Sequence, residues 1–90
     1  MKKHWNITVQ GRVQGVWYRA STQEKAHELG LTGFVQNQPD GSVYIEAEGT
    51  GEVLEAFLSW CHRGPLLARV DQVLVQEGEV QGYREFEQRR

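Results

Sequence analysis

Apolar and polar residues alternate along the first part of the chain, and the pattern then becomes helical. The apolar positions of the alternating segment are Trp5, Ile7 and Val9, and their polar neighbours are Asn6, Thr8 and Gln10. Such alternation predicts a strand with one buried face, which we expect Gly11 to end. From residue 18, apolar or small side chains recur at helical spacing, which predicts a first helix with Gly30 as its C-terminal stop. These helical positions are Tyr18, Thr22, Ala26 and Leu29.

A hairpin and a second helix follow. Residues 31–37 and 42–48 have strand-like patterns, and the turn-forming residues 38–41 between them predict an antiparallel hairpin. The inward positions of the second strand are Val43, Ile45 and Ala47. Thr50 is a suitable N-cap for the next helix, which the Gly-Pro pair at 64–65 is expected to end. The apolar stripe of that helix contains Val53, Leu54, Phe57, Leu58, Trp60 and Cys61.

Two further strands complete the predicted fold, at residues 69–76 and, briefly, at 83–87. The order β-α-β-β-α-β with a short extra strand predicts an α+β sandwich of the ferredoxin-like, split β-α-β type, with two helices on one face of a mainly antiparallel sheet. Because a helix crossover joins the first two strands, they should run parallel, with the hairpin partner of the second strand between them. Their C-terminal ends then share one sheet edge, which brings Asn37 close to the loop after the first strand.

The composition suits one small domain, residues 1–90, that binds neither nucleic acid nor a membrane. The 39% hydrophobic and 24% charged residues are ordinary for a soluble globular protein. A net charge of −2 argues against nucleic acid binding. No apolar run approaches the ~18 residues of a membrane span, and no secretory signal follows the basic residues 1–3. The single Cys61 cannot form an internal disulfide, which agrees with a reducing compartment, so we expect a cytoplasmic protein. We also expect it to be a monomer.

The segment from Gly11 to Arg19 carries the clearest chemical signal. A strand end leads into a glycine-bracketed loop and then into a helix start that bears an arginine. Free backbone N–H groups at a helix start, the positive end of the helix dipole and a planar guanidinium together favour a phosphoryl ligand. No Gly-Lys-Ser/Thr follows, so this is not a Walker A loop. Leu54 stands where a dinucleotide fingerprint starting at Gly49 would need its third glycine.

Each residue of this candidate site also has an ordinary structural interpretation. Gly11 and Gly15 suit a simple strand-to-helix turn. Arg19 suits a solvated helix position, and Asn37 suits the start of the turn that contains Pro39. Their predicted meeting at one sheet edge favours the functional interpretation.

The available side chains limit the reaction. The Asn37 carboxamide both donates and accepts hydrogen bonds, so it can hold a water molecule in line behind phosphorus, although it is too weak a base to deprotonate that water. A carboxylate leaving group, with a pKa of about 4, needs no general acid. A loose phosphoryl-transfer transition state also requires little of the nucleophile. This chemistry favours an acyl phosphate as substrate, with no metal and no other cofactor.

Residues 11–19, GRVQGVWYR, resemble the signature loop of the acylphosphatases, small enzymes that hydrolyse the carboxyl-phosphate bond. Further stretches similar to that family are residues 33–37, 39–43, 64–65 and 68–70. The resemblance covers residues 5–86, nearly the whole chain. It implies the same ferredoxin-like fold and the hydrolysis of an acyl phosphate to a carboxylate and inorganic phosphate.

The resemblance also implies roles for individual residues. It makes Arg19 the phosphate-binding catalytic arginine and Asn37 the asparagine that orients water. The phosphate-binding residues that it implies are Gln14, Gly15, Val16, Trp17, Tyr18 and Arg19. Trp17 and Tyr18 stand where the family more often has phenylalanine. Gln36 replaces a frequent basic residue, whose charge would assist an anionic ligand.

A rival prediction from another class is a non-catalytic anion-binding module, related to acylphosphatase-like domains of larger maturation proteins. Asp40 is expected to shape the hairpin turn. Cys61 and His62 are neighbours on a helix and point in different directions, so we expect no metal site there. His4 and His27 are expected on solvent faces, without a role.

Overall fold

The computed structural model describes residues 1–90 and contains five strands and two helices in the predicted order. These elements are β1 (Lys2–Arg12), α1 (Tyr18–Leu29), β2 (Thr32–Asn37), β3 (Val43–Thr50), α2 (Gly51–Arg63), β4 (Arg69–Gly78) and β5 (Phe86–Arg89). The predicted caps of both helices are confirmed, since Gly30 and Gly64 follow their last residues and Thr50 precedes α2.

The five strands form one sheet in the order β4-β1-β3-β2-β5. Neighbouring strands are antiparallel except β2 and β5, which run parallel with Gly33 opposite Phe86. Because β3 lies between β1 and β2, these two strands point the same way, as the crossover predicts. The predicted α+β sandwich is therefore confirmed, and the loop after β1 meets the turn after β2.

The hydrophobic core lies between the sheet and the helices. Ile7 of β1 is opposite Ile45 of β3, and both side chains are fully buried. Helix α1 packs on β2 and β5, and α2 packs on β1, β3 and β4. The helix residues buried here are Tyr18, Thr22, Ala26, Leu54, Phe57 and Cys61. Burial of each large apolar side chain contributes about 1.5–3 kcal/mol, so these stripes hold both helices on the same face.

Gly11 does not end β1, contrary to the prediction. The strand continues to Arg12 through an irregularity between Gln10 and Gly11 in its pairing with β4. A Cβ atom on Gly11, whose φ is 132°, would lie 2.2 Å from the carbonyl oxygen of Arg69. Only glycine fits this close approach, and a bulge of this kind redirects a strand as it leaves the sheet.

The opposite face of the sheet carries a buried carboxylate. The Glu48 side chain accepts hydrogen bonds from the backbone N–H groups of Gln81, Gly82 and Tyr83. Its Oε2 also lies 2.7 Å from Nδ1 of His4. We call this group, Glu48 with His4 and residues 81–83, the Glu48 anchor. It ties the segment before β5 to the sheet.

The Glu48 anchor explains two wrong predictions. His4 was expected in solvent, but only 3% of its surface is exposed because residues 81–83 fold back beside it. The last strand was expected to begin at residue 83 but begins at Phe86, since the N–H group of Tyr83 bonds to a carboxylate rather than to a strand. Burial acts to raise the pKa of Glu48, but the hydrogen bonds outweigh burial and hold that pKa below its usual value.

Candidate active site

The loop of residues 13–17 leaves the start of α1 open. Gly15 and Trp17 have positive φ angles of 75° and 68°. Trp17 occupies the N-cap position, but its side chain caps no N–H group, and the first turn has no acidic residue. Among the backbone hydrogen bonds outside helices and strands, none has an N–H group of residues 14–20 as donor. These groups are therefore available to an anion.

Helix α2 shows how the same chain closes a helix start. The Thr50 hydroxyl accepts a hydrogen bond from the N–H group of Val53 at 3.3 Å. Glu52 places a negative charge in the first turn. The uncapped start of α1 is thus a property of its own loop.

The Gln14 side chain connects this loop to the β2–β3 turn. Its Nε2 donates to the carbonyl oxygens of Gln38 and Ser42, at 2.8 Å each. Gln38 directly follows Asn37, so these bonds fix the loop relative to the end of β2. No local pattern in the sequence predicts this contact, because its acceptors are backbone atoms 24 and 28 positions away.

A cleft of about 340 Å³ opens beside this loop. It brings together Arg19, from the first turn of α1, and Asn37, from the C-terminal end of β2. The complete lining is Val13, Gly15, Trp17, Tyr18, Arg19, Ala20, Asn37 and Gln88. The predicted site residues Gln14 and Val16 are not in this lining: Gln14 holds the turn, and the Val16 side chain is buried in the core.

Arg19 is half-buried and is held by the last strand. Its Nη1 donates to the carbonyl oxygen of Arg89 at 2.9 Å. Arg89 is itself fixed, since its guanidinium carbon lies 3.8 Å from the centroid of the Phe34 ring. One donor of the Arg19 fork is thus engaged, and no other hydrogen bond of its side chain is formed within the chain.

Asn37 carries a buried polar atom without a partner. Its Oδ1 is buried and accepts no hydrogen bond. An unsatisfied buried acceptor costs about 1–3 kcal/mol, and native proteins contain few of them. The carboxamide of a residue that lines the cleft therefore keeps one acceptor unsatisfied.

Three lining residues were not predicted. Val13 and Ala20 are apolar, and Gln88 comes from β5, where its Nε2 donates to Oε1 of Gln23 at 2.9 Å. The sequence offers no local signal for Gln88, because only the parallel pairing of β2 with β5 brings the end of the chain beside Asn37.

Tyr18 lines the cleft, but its hydroxyl points into the core. The hydroxyl donates to the carbonyl oxygen of Cys61 at 2.8 Å. Burial raises the pKa of Tyr18 well above its usual value. The phenol therefore cannot serve as a proton donor or acceptor for a ligand in the cleft.

The remaining candidates have structural positions. The Cys61 thiol is fully buried, and burial raises its pKa to about 12. Asp40 Oδ1 accepts hydrogen bonds from the hydroxyl and N–H groups of Ser42, which lower the pKa of Asp40. His27 Nε2 lies 3.0 Å from the carbonyl oxygen of Phe86. No three His, Cys, Asp or Glu residues are grouped as metal ligands, and neither helix has the length and apolar character to cross a bilayer.

Comparisons with known proteins extend over nearly the whole chain. A family model described as Acylphosphatase matches residues 5–88. An acylphosphatase from Methylococcus capsulatus is 56% identical over 85 residues, which are 93% of this chain and 92% of that protein. The structure of an acylphosphatase from Coxiella burnetii has a TM-score of 0.95 at 38% identity and covers 98% of this chain and 93% of that one. Full-length HypF, in a phosphate- and nucleotide-bound form, has a TM-score of 0.88 at 31% identity, over 98% of this chain but only 12% of HypF.

Proposed function

This chain belongs to the acylphosphatase family and hydrolyses acyl phosphates, and we propose that Arg19 and Asn37 divide the work of that reaction. In this proposal Arg19 and the N–H groups of residues 14–19 bind the phosphoryl oxygens. Asn37 orients the attacking water. The single observation that carries the proposal is that Arg19 and Asn37 line the same cleft.

The proposed role of Arg19 is electrostatic. Phosphoryl transfer spreads negative charge over three equatorial oxygens, and catalysis consists mainly of positioning and of stabilising that charge. The planar guanidinium has further N–H donors besides the one that bonds to Arg89. The N–H groups at the start of α1 add donors that are already in place before the substrate binds. Loss of an arginine in such a position costs about a thousand-fold or more in kcat.

The proposed role of Asn37 is to hold water. Its carboxamide, which lines the cleft, hydrogen-bonds the water, and the water oxygen then lies behind phosphorus, opposite the leaving carboxylate. The carboxamide removes no proton. As the new phosphorus–oxygen bond forms and the bond to the carboxylate oxygen breaks, one proton of the water passes to a phosphoryl oxygen, so the products are a carboxylate and inorganic phosphate that keeps both protons of the water.

We propose that the reaction proceeds without a metal. A carboxylate with a pKa of about 4 leaves without protonation, so neither a Lewis acid nor a general acid is required. A chelator should leave the rate unchanged. Strong inhibition that a divalent ion reverses would contradict this proposal.

The decisive experiment compares benzoyl phosphate with phenyl phosphate, whose leaving phenolate has a pKa of about 10. Benzoyl phosphate should be hydrolysed at least about a thousand-fold faster, because nothing in the cleft protonates a poor leaving group. A non-catalytic anion-binding module would cleave neither compound.

Arg19 variants test the roles directly. Arg19→Ala should lose both turnover and competitive inhibition by inorganic phosphate. Arg19→Lys, which keeps the charge but not the planar fork, should keep inhibition by phosphate better than turnover. An Arg19→Ala enzyme as fast as the parent would exclude the assigned role.

We further propose that the chain acts as a monomer in the cytosol and binds inorganic phosphate or similar anions as competitors of its substrate. The fully buried, unpaired Cys61 suits a reducing compartment. Light scattering should give the mass of one chain, and cell fractionation should place the protein with the cytosol. A dimer mass or recovery from another fraction would contradict these expectations.

A further inference from the structure

Trp17 is the only large apolar side chain that is both highly exposed and part of the cleft lining. Its exposed fraction is 76%. Its backbone lies in the left-handed region, with φ 68° and ψ 18°, which a bulky residue rarely adopts. Strained backbone of this kind concentrates at functional sites. Core packing explains neither the strain nor the exposure.

The cleft is larger than a phosphoryl group needs. Its volume of about 340 Å³ falls at the lower end of the range for small-molecule sites, about 300–1,000 Å³. Half of its eight lining residues are hydrophobic, although phosphate itself is recognised only by polar groups. The cleft therefore has both room and an apolar surface for another part of the substrate.

The other apolar lining residues cannot offer a large contact surface. Val13 and Tyr18 are each 1% exposed, and Ala20 has only a methyl group. Asn37 is also unsuitable, because an in-line reaction places the leaving carboxylate on the side of phosphorus away from the water that Asn37 holds. By elimination, the indole of Trp17 is the one surface that can cover an apolar acyl group.

We propose that Trp17 forms a binding subsite for the acyl group and gives this enzyme a preference for acyl phosphates with aromatic or extended apolar acyl groups. This inference rests on the proposed phosphate position between Arg19 and the start of α1. Arg19 is the only cation in the lining and is committed to the phosphoryl group. An acyl group that bears a second carboxylate therefore meets no free positive charge in the cleft, so the indole favours neutral acyl groups.

The test compares benzoyl phosphate with acetyl phosphate in the parent, Trp17→Phe and Trp17→Asn. Asparagine tolerates the left-handed backbone, so Trp17→Asn removes the aromatic face with the least change in the loop. The readout is the ratio of kcat/KM for the two substrates, because intrinsic reactivity cancels when this ratio is compared between variants. Trp17→Asn should lower the ratio about tenfold, and Trp17→Phe should lower it by less than about threefold. The loss should lie mainly in KM for benzoyl phosphate, because the contact is equal in ground and transition states.

Each result is decisive. The subsite is supported if the ratio falls in Trp17→Asn and stays close to the parent value in Trp17→Phe. An equal loss of kcat/KM for both substrates would overturn it and make Trp17 a residue that only shapes the loop. An unchanged ratio would also overturn it. If the parent hydrolyses neither substrate, the proposed function fails, and this inference fails with it.

Discussion

Asn37 and Glu48 lie on neighbouring strands of one sheet, but the chain satisfies the hydrogen bonds of only one of them. The Glu48 carboxylate accepts bonds from three backbone N–H groups and lies 2.7 Å from His4. The Asn37 oxygen is also buried and has no partner. One buried polar group therefore stabilises the fold, whereas the other stays unsatisfied in a residue that lines the cleft.

The C-terminal segment, residues 81–89, shows the same division at its two ends. At residues 81–83 the backbone donates hydrogen bonds to Glu48. At Arg89 the backbone instead accepts a hydrogen bond from Arg19, whose side chain has further donors without a partner. The difference teaches that this small domain concentrates its polar stabilisation away from the cleft. Variants of the two regions should accordingly separate stability from turnover.

Asn37→Ala should have the largest effect. Loss of the water-orienting amide should lower kcat about 100- to 1,000-fold, while the free energy of unfolding stays equal or rises by up to about 1 kcal/mol, because an unsatisfied acceptor disappears. Steady-state kinetics with benzoyl phosphate and urea unfolding measure the two effects. Thr32→Val is the matched control, since Thr32 Oγ1 is the other buried atom without a partner and lies outside the cleft. It should alter stability alone. An Asn37→Ala enzyme with normal kcat would break the comparison.

Glu48→Gln should show the opposite pattern. The amide keeps one acceptor oxygen but turns a donor group toward backbone N–H groups, so unfolding should become easier by about 2–4 kcal/mol. The melting temperature should fall by about 10–20 °C. The kcat of the folded enzyme should stay within about twofold of the parent, since no atom of Glu48 lines the cleft. Glu55→Gln, on the exposed side of α2, is the control and should change neither property.

The pH dependence of stability sharpens the same point. Hydrogen bonds lower the pKa of Glu48 in the folded state. The ionised carboxylate therefore contributes fully to the free energy of unfolding above the ordinary glutamate pKa of 4.5. This contribution is lost as the pH falls through the lower pKa of the folded state. The free energy of unfolding should therefore decrease on acidification below about pH 5. The decrease should be smaller in Glu48→Gln. Equal slopes in the two proteins would show that other groups control acid unfolding.

Gln14 joins the loop of residues 13–17 to the hairpin turn, so its loss should lower both turnover and stability moderately. Gln14→Met removes both 2.8 Å hydrogen bonds and should lower kcat/KM about tenfold and stability by about 1–2 kcal/mol. Gln14→Glu should be worse, because it places a carboxylate against two carbonyl oxygens. A normal kcat/KM in Gln14→Met would mean that the loop holds its position without this contact.

Most of the fold followed from local patterns. The alternation around Ile7 and Ile45 predicted the buried strand faces, and Thr50, Gly30 and Gly64 predicted helix boundaries correctly. The resemblance to the acylphosphatases is confirmed by relatives along nearly the whole chain. The predictions that failed, at Gly11, His4 and residue 83, all concern contacts with segments distant in sequence.

The sequence by itself determined the elements, their order and the residues with phosphate chemistry, because side-chain periodicity, turn propensity and the loop motif are local properties. Only the tertiary structure decided that Gln14 binds the hairpin turn, that Glu48 fixes the segment before β5, that the carbonyl group of Arg89 holds Arg19 and that Gln88 lines the cleft. Each of these contacts joins a side chain to backbone, or to residues, far away in sequence. Such pairings become defined only when the sheet has brought its strands into register.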